Sequence, residues 1–238
     1  MSIISELTNK YKPVQLITVY KDDNRNYYLE STEIEKGKQG ASTPLKEDVL
    51  SEIVMYFSDL KKEADNIKGG IPETVLYCEW AVETKVLIWY NKPMVRHMYF
   101  TDDLKIPSGS ANQPTIVYVV INNHLDVFIC KASKVVNSTA LFVAPYHNTG
   151  IDGSVCLGSS SVKKPARPTY TNIMEYWEKK FWNSEFSHLA GKNQLIKGNI
   201  NLFWKDMIKS KKDFDHSVLI ASKYKTFENL LKSKIRNA

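Results

Sequence analysis

The sequence has little of what disulfide-rich and cofactor-binding proteins need. Its 238 residues include three cysteines, too few and too odd in number for a disulfide framework. The sequence contains no CxxC, HExxH, GxGxxG or GxxxxGK[ST] pattern. These are the main motifs of zinc ribbons, zincins, Rossmann cofactor sites and P-loops, so their absence argues against these four classes. We therefore expect no cofactor and no bound metal.

Long apolar runs are also missing. No run approaches the roughly 18 residues that a membrane-spanning helix requires, and the opening MSIISELTNKYKP lacks the apolar core of a signal peptide. Hydrophobic residues make up 43% and charged residues 24% of the chain, which argues against disorder and coiled coil. We expect a cytoplasmic protein of a reducing compartment, without membrane association.

Positive charge is concentrated at one end of the chain. Residues 203–238 contain nine Lys or Arg and four Asp or Glu, so they carry most of the formal net charge of +6. Such a tail fits an acidic protein partner, phosphates, or a solvated surface with no binding role. No nucleic-acid motif accompanies it, so DNA is the less favoured partner.

The N-terminal part of the chain predicts a small β element. Residues 14–20 and 27–29 are strand-like and flank the polar turn KDDNRN, and EKGKQGAS is typical of a linker. Thr43 as N-cap and Pro44 at the first helical position predict the start of a helix. Its apolar stripe would consist of Leu45, Val49, Ile53 and Phe57.

The centre of the chain predicts an antiparallel meander, and helices follow it. The strand-like segments are 74–81, 85–90, 96–100, 115–121, 124–131 and 139–144. A helix capped by Thr171 or Asn172 would place Ile173, Tyr176, Trp177 and Phe181 on one face. Residues 202–204 fall in a less regular part, and a short helix begins near Thr226. This order of elements predicts an α+β fold.

Cys156 is the strongest candidate for chemistry. Cys78 and Cys130 lie within strand patterns, where a cysteine is usually a small buried hydrophobe. Cys156 instead lies in the loop HNTGIDGSVCLGSSS, between Gly153 and Gly158. An exposed loop thiol is open to reaction, so this position favours a functional role.

The segment PYHNTGIDGSVCL, residues 145–157, resembles the active-site stretch of ubiquitin-conjugating enzymes. Asn148 lies eight positions before Cys156, Gly153 lies three before it, and Val155 and Leu157 flank it. More specifically, the chain resembles the divergent prokaryotic ubiquitin-conjugating family D, also called PRTRC-system protein B. The downstream segment FWNSEFSH, which ends at His188, matches that family as well.

The resemblance implies an organisation for the whole chain. A ubiquitin-conjugating-like core would span residues 43–191, with an antiparallel meander flanked by helices. An N-terminal β extension would occupy residues 1–42, and a basic, helical C-terminal extension would occupy residues 192–238.

The resemblance also implies a reaction. Cys156 would accept a ubiquitin-like modifier as a thioester from a ThiF-type adenylating enzyme and pass it to an amine, with a JAB-type peptidase possible in the same pathway. Asn148 would donate to the oxyanion or brace the loop. His147 would act on the thiol or serve loop structure, and His188 would fold back toward the loop. Gly153 and Gly158 would form its accessible rim.

The motif departs from the family pattern at two positions. His147 adjoins Asn148 with no intervening proline, and Gly158 stands where an acidic residue is usual. Two other functions therefore stay open. One is a cysteine hydrolase that uses Cys156 and His188, and the other is a non-catalytic binding module of a plasmid-type PRTRC system, with the basic tail on DNA.

Overall fold

A computed structural model describes residues 12–23, 26–51, 54–55, 67–81, 84–158, 161–189 and 194–235. Contacts within the chain group it into two compact units, Met1–Glu63 and Ala64–Ala238. The divisions expected from the sequence, after residues 42 and 191, stay a prediction. Across the described ranges, no helix combines the length and the apolar character needed to cross a membrane.

The first unit contains a three-stranded antiparallel sheet in the order β1-β2-β3. Its strands are β1 (Gln15–Lys21), β2 (Tyr27–Glu35) and β3 (Lys38–Pro44). The predicted pairing of the first two strands is confirmed, with Tyr20 opposite Tyr28. The linker prediction is wrong, because Lys36 and Gly37 both adopt positive φ and join β2 to β3 in a tight hairpin.

The predicted helix start at Thr43 and Pro44 is also wrong. Thr43 pairs with Ser31 as part of β3, and Pro44 is tolerated because β3 is an edge strand that ends there. Helical residues begin at position 47 and include 47–51 and 54–55. Ile53 and Phe57 of the predicted stripe lie outside the described residues.

The second unit is built on a six-stranded antiparallel sheet. Its strands are β4 (Val75–Trp80), β5 (Lys85–Asn91), β8 (Thr115–Ile121), β9 (His124–Cys130), β10 (Ala140–Val143) and β12 (Ala221–Thr226), in the order β12-β10-β9-β8-β5-β4. The predicted turn between β8 and β9 is confirmed, since Asn122 has φ 55°. Six consecutive residues of β8 are buried, so β8 lies at the centre of the core with both faces covered.

One strand of the predicted meander, β6, belongs to a second, smaller sheet. It contains β6 (Met94–Phe100), β7 (Gly109–Gln113) and β11 (Glu185–Phe186), in the order β11-β6-β7. The short strand β11 runs parallel to β6. The sequence pattern did not predict β7, because GSANQ lacks the β-branched and aromatic residues that mark a strand.

Three helices pack onto this unit: α1 (Tyr170–Trp182), α2 (Ile200–Ser210) and α3 (Phe227–Lys234). Thr169 caps α1 in a capping box with Asn172, so the helix begins before the predicted caps. Three members of the predicted stripe of α1 are buried: Ile173, Trp177 and Phe181. The predicted start of a short helix near Thr226 is confirmed, and Thr226 is the N-cap of α3.

The C-terminal part is more than a helical extension. Its strand β12 pairs with β10 and thus forms an edge of the main sheet. Helix α2 occupies the segment that the sequence indicated as irregular, and its Trp204 is fully buried. The Trp204 indole N–H donates to the carbonyl oxygen of Pro145 at 2.6 Å. Helix α2 therefore supports the start of the loop that carries Cys156.

Candidate active site

The loop that carries Cys156 is attached to the central sheet. β10 pairs with β9 only at Phe128 and Ile129. Along the earlier half of β9, the chain before Cys156 takes the place of β10. Val127 donates its backbone N–H to the Gly153 carbonyl at 2.8 Å, and Val155 donates to Leu125 at 3.0 Å. Backbone pairing to a buried strand therefore fixes the approach to Cys156.

A tight turn precedes Cys156 and depends on glycine. The Asp152 carboxylate accepts hydrogen bonds from the Ser154 hydroxyl at 2.7 Å and backbone N–H at 3.2 Å, and the hydroxyl bond is the main cause that lowers the pKa of Asp152. Gly153 has φ +94°, and a Cβ there would clash with the ring of Phe128. Gly153 thus supports the loop through backbone conformation and close packing.

Cys156 is the exposed thiol of the three cysteines. Cys130 is buried, which raises its thiol pKa to about 12, and burial also raises the thiol pKa of half-buried Cys78. A high thiol pKa disfavours the nucleophilic thiolate. Exposure and burial therefore separate Cys156 from the other two cysteines, as their positions in the sequence predicted.

Cys156 lines a pocket of about 600 Å³. Its lining is mostly small and polar: Thr101, Asn148, Cys156, Leu157, Gly158, Ser161, Val162, Asn183, Ser184, Glu185, Ser187 and His188. Glu185 and His188 are the titratable groups that accompany the thiol among these residues. The described lining is thus that of an open polar cleft and contains no Phe, Tyr or Trp.

Asn148 connects two walls of this pocket, the Cys156 loop on one side and residues 185–188 on the other. Its side-chain oxygen accepts from the backbone N–H of Ser187 at 3.0 Å and of His188 at 3.3 Å, and its amide donates to the Glu185 carbonyl at 2.7 Å. Its own backbone carbonyl accepts the N–H of Cys156 at 2.8 Å. Asn148 itself is 4% exposed, whereas its partners Glu185, His188 and Cys156 are exposed, so these bonds are partly buried. The contacts support the bracing role, and the oxyanion role stays a prediction.

His188 lines the same pocket as Cys156, although the two residues are far apart in the sequence. Its backbone carbonyl accepts the N–H of Asn148 at 2.7 Å, which fixes the end of the FWNSEFSH segment against the loop. Its exposed ring has Nδ1 2.9 Å from the Ser187 hydroxyl. The structure therefore brings Cys156, Asn148 and His188 to one site.

His147 is placed elsewhere. Its ring is fully buried, packs edge-on against Phe100, and has Nε2 2.9 Å from the side-chain oxygen of Asn201 on α2. Burial lowers the pKa of this imidazole. His147 is not among the described residues that line the pocket, and its contact with α2 supports the loop-structure alternative, whereas its action on the thiol stays a prediction.

Several pocket residues were not predicted as site residues. Thr101 follows β6, and Ser184, Glu185 and Ser187 lie on the segment after α1. The FWNSEFSH pattern marked this segment as a whole, but no signal within it identified the lining residues. Within the described part of the chain, no group of three or more His, Cys, Asp or Glu is arranged to hold a metal ion.

Comparison with known proteins identifies a family for most of this chain. The sequence model described as Prokaryotic E2 family D matches residues 52–222. This range contains five of the six strands of the main sheet, the first two residues of the sixth strand β12, the Cys156 loop, α1 and α2. Neither the curated proteins nor the solved structures include a match. Since the matched range covers more than half of the chain, the protein belongs to prokaryotic E2 family D.

Proposed function

We propose that this protein is a ubiquitin-conjugating-type acyl carrier. Cys156 accepts a ubiquitin-like modifier as a thioester from a ThiF-type adenylating enzyme and passes it to an amine. The observation that carries this proposal is the exposed Cys156 thiol on an open cleft, within a chain of prokaryotic E2 family D.

The geometry suits a thiol that must meet two large proteins in turn. The thiol is exposed, and the small residues Gly158, Ser184 and Ser187 are part of the lining of the cleft. The Cys156 thiolate attacks the acyl carbon of the incoming thioester, and the partner's thiolate leaves. An amine then attacks the acyl carbon of the new thioester, the C–S bond breaks with release of the Cys156 thiolate, and the His188 imidazole on the same cleft takes the proton of the amine as the amide forms.

The test combines the protein with its adenylating enzyme, the modifier and ATP. We expect an adduct on Cys156 that dithiothreitol cleaves, and an ester that resists dithiothreitol or no adduct in Cys156→Ser. Cys78→Ser serves as the control, because a half-buried thiol with a raised pKa should contribute nothing. Full adduct formation in Cys156→Ala would contradict the assignment.

The common cleft of Cys156 and His188 also supports a second function, a cysteine hydrolase. The two functions differ in product. Transfer yields an amide between modifier and acceptor, whereas hydrolysis yields free modifier acid with water as the acceptor. The charged protein is therefore incubated with and without a lysine-rich acceptor. Loss of the thioester at equal rates in both, with only free acid formed, would favour the hydrolase.

A further inference from the structure

Two backbone N–H groups, those of Leu157 and Gly158, follow Cys156 directly. Leu157 and Gly158 both line the pocket. Among the described residues, neither backbone N–H has a hydrogen-bond acceptor, although the N–H groups of Val155 and Cys156 before them are both bonded. Unpaired backbone donors at the wall of a cleft are available to a bound group.

Gly158 supplies the left-handed residue of a turn that can present such a pair of donors. Gly158 has φ +53°, in the left-handed region, and no atom lies within 4 Å of where its Cβ would be. There is therefore room for a side chain at position 158, and the left-handed backbone conformation is the reason that glycine is favoured there. Successive N–H groups at a left-handed turn form a concave site for negative charge.

The amide of Asn148, the other donor near the thiol, is held in its orientation by the opposite wall of the pocket. One N–H of its nitrogen donates to the Glu185 carbonyl at 2.7 Å, and its oxygen accepts from the N–H groups of Ser187 and His188. The second N–H of this nitrogen makes none of these bonds. Turning the amide toward a reacting carbonyl would break the bonds to residues 185–188, so the second N–H can act only from the orientation that these bonds impose. The N–H groups of Leu157 and Gly158 need no such rearrangement of a side chain.

We propose that the backbone N–H groups of Leu157 and Gly158 form the oxyanion site for acyl transfer at Cys156. This inference rests on the proposed function of the thiol. Only the Cβ, Cα and carbonyl carbon of Cys156 separate its sulfur from the Leu157 nitrogen. When the thiolate forms a bond to the acyl carbon, the carbonyl electron pair moves to oxygen, and these N–H groups hold that charge. Collapse of the intermediate re-forms the carbonyl and expels the leaving group.

The experiment compares two reactions of the same thiol in the full-length protein. Acylation by 4-nitrophenyl acetate passes through an oxyanion and releases nitrophenolate, whereas alkylation by iodoacetamide passes through none. Both rate constants are measured above the midpoint of the pH–alkylation profile, after subtraction of the rate in Cys156→Ala. The ratio of acylation to alkylation then reports oxyanion stabilisation apart from thiol access.

Two variants of Gly158 separate conformation from side-chain bulk. Asn tolerates the left-handed region and Val does not. We expect Gly158→Val to lower the ratio by about 10- to 100-fold, in line with the loss of an oxyanion donor, while Gly158→Asn stays within about threefold of the parent. Both should keep the circular dichroism spectrum of the parent protein.

Two results would overturn the inference. One is an unchanged ratio in Gly158→Val, and the other is a selective fall of the ratio in Asn148→Gly, which would assign the role to the side-chain amide. Because the probe is a small ester, these results do not depend on modifier charging. A protein that keeps the Gly158 effect but never forms a modifier thioester would disprove the proposed function alone.

Discussion

The backbone N–H of Cys156 donates a 2.8 Å hydrogen bond to the carbonyl oxygen of Asn148. The side chain of the same Asn148 binds the backbone of residues 185–188 on the opposite wall. One buried residue thus connects the candidate nucleophile to the segment that carries His188. A residue in this position affects stability and acyl transfer together, and variants must be chosen to separate the two.

Asn148→Gly should lower the free energy of unfolding by about 2–3 kcal/mol, because it removes three partly buried hydrogen bonds to the backbone of residues 185–188. Asn148→Ala should cost about 1 kcal/mol more, since Asn148 has φ 64° and alanine disfavours that conformation. Urea denaturation measures both. Equal stability of the parent and Asn148→Gly would show that these bonds do not brace the site.

Gly153→Ala should be more damaging than Gly158→Ala, although both glycines have positive φ. At Gly158 the cost is conformational alone, about 1 kcal/mol. At Gly153 the added methyl also meets the Phe128 ring, and we expect a total of about 2 kcal/mol or more. Thermal or urea denaturation checks the order.

Phe128→Leu tests the cause of the Gly153 effect. Removing part of the ring opens the space that the added methyl would occupy, so the double variant should lose less stability than the sum of the single variants. Additive losses would mean that backbone conformation accounts for the whole effect and that the ring contact contributes nothing.

The sequence identified the parts of the site that are local and left out those that depend on long-range packing. Spacing around Cys156 predicted an exposed thiol with Asn148 and Gly153 near it, because these residues share one loop. The burial of the His147 ring could not be predicted, because its partner Asn201 lies on α2. The apolar pattern of that helix over residues 202–204 looked irregular in the sequence. Strands β7 and β11 were missed for a related reason, because pairing with β6 defines them more than their own residues do.

Protonation of His147 should weaken the fold as the pH falls. Burial holds its pKa in the folded protein below the ordinary value of 6.5, so below about pH 6.5 the unfolded chain takes up a proton that the folded protein does not. Stability from this group is complete above pH 6.5 and decreases toward the folded-state pKa. Denaturation between pH 5 and 8 measures the slope.

His147→Gln provides the comparison for that slope. Glutamine places an amide nitrogen near the position of Nε2 and can keep the bond to Asn201, but it does not titrate. The variant should show a shallower dependence of stability on pH. Burial also lowers the pKa of His216, so some dependence should persist until His216→Gln is added. An identical slope in the parent and His147→Gln would contradict the burial of this ring.

The ion pair between Lys234 and Asp126 should stabilise the end of α3 against the main sheet. The two groups are 2.6 Å apart, with side chains 27% and 11% exposed, and Asp126 also bridges to Ser154 in the Cys156 loop. Lys234→Met leaves a largely buried carboxylate without its partner. We expect a loss of about 1–2 kcal/mol, reduced from the buried-pair value because Lys234 is partly exposed.

Asp126→Asn in the Lys234→Met background serves as the control for that loss. Removing the unpaired charge should recover part of the stability, so the double variant should unfold at a higher urea concentration than Lys234→Met alone. Additive losses from the two changes would mean that the pair contributes no coupling.

The C-terminal lysines have two possible roles, docking of the adenylating enzyme or solubility. Lys209, Lys211 and Lys212 are exposed around the end of α2, and Lys212 pairs with Asp206 at 2.6 Å. The buried anchors of this helix include Trp204 and Met207. Replacing the three lysines with Gln therefore removes charge and leaves the packing of α2 intact.

If this cluster docks an acidic partner, the triple Gln variant should be charged with modifier more slowly than the parent at low salt. Opposite charges raise association rates, and screening acts beyond about 10 Å at 0.1 M salt. The difference should therefore shrink as salt is added, and the thermal midpoint should stay unchanged. A matched variant removes three exposed lysines elsewhere: Lys38, Lys46 and Lys92. If both triple variants are charged equally fast at low salt, the position of the lysines has no effect, and the cluster at the end of α2 is a solvated surface without a docking role.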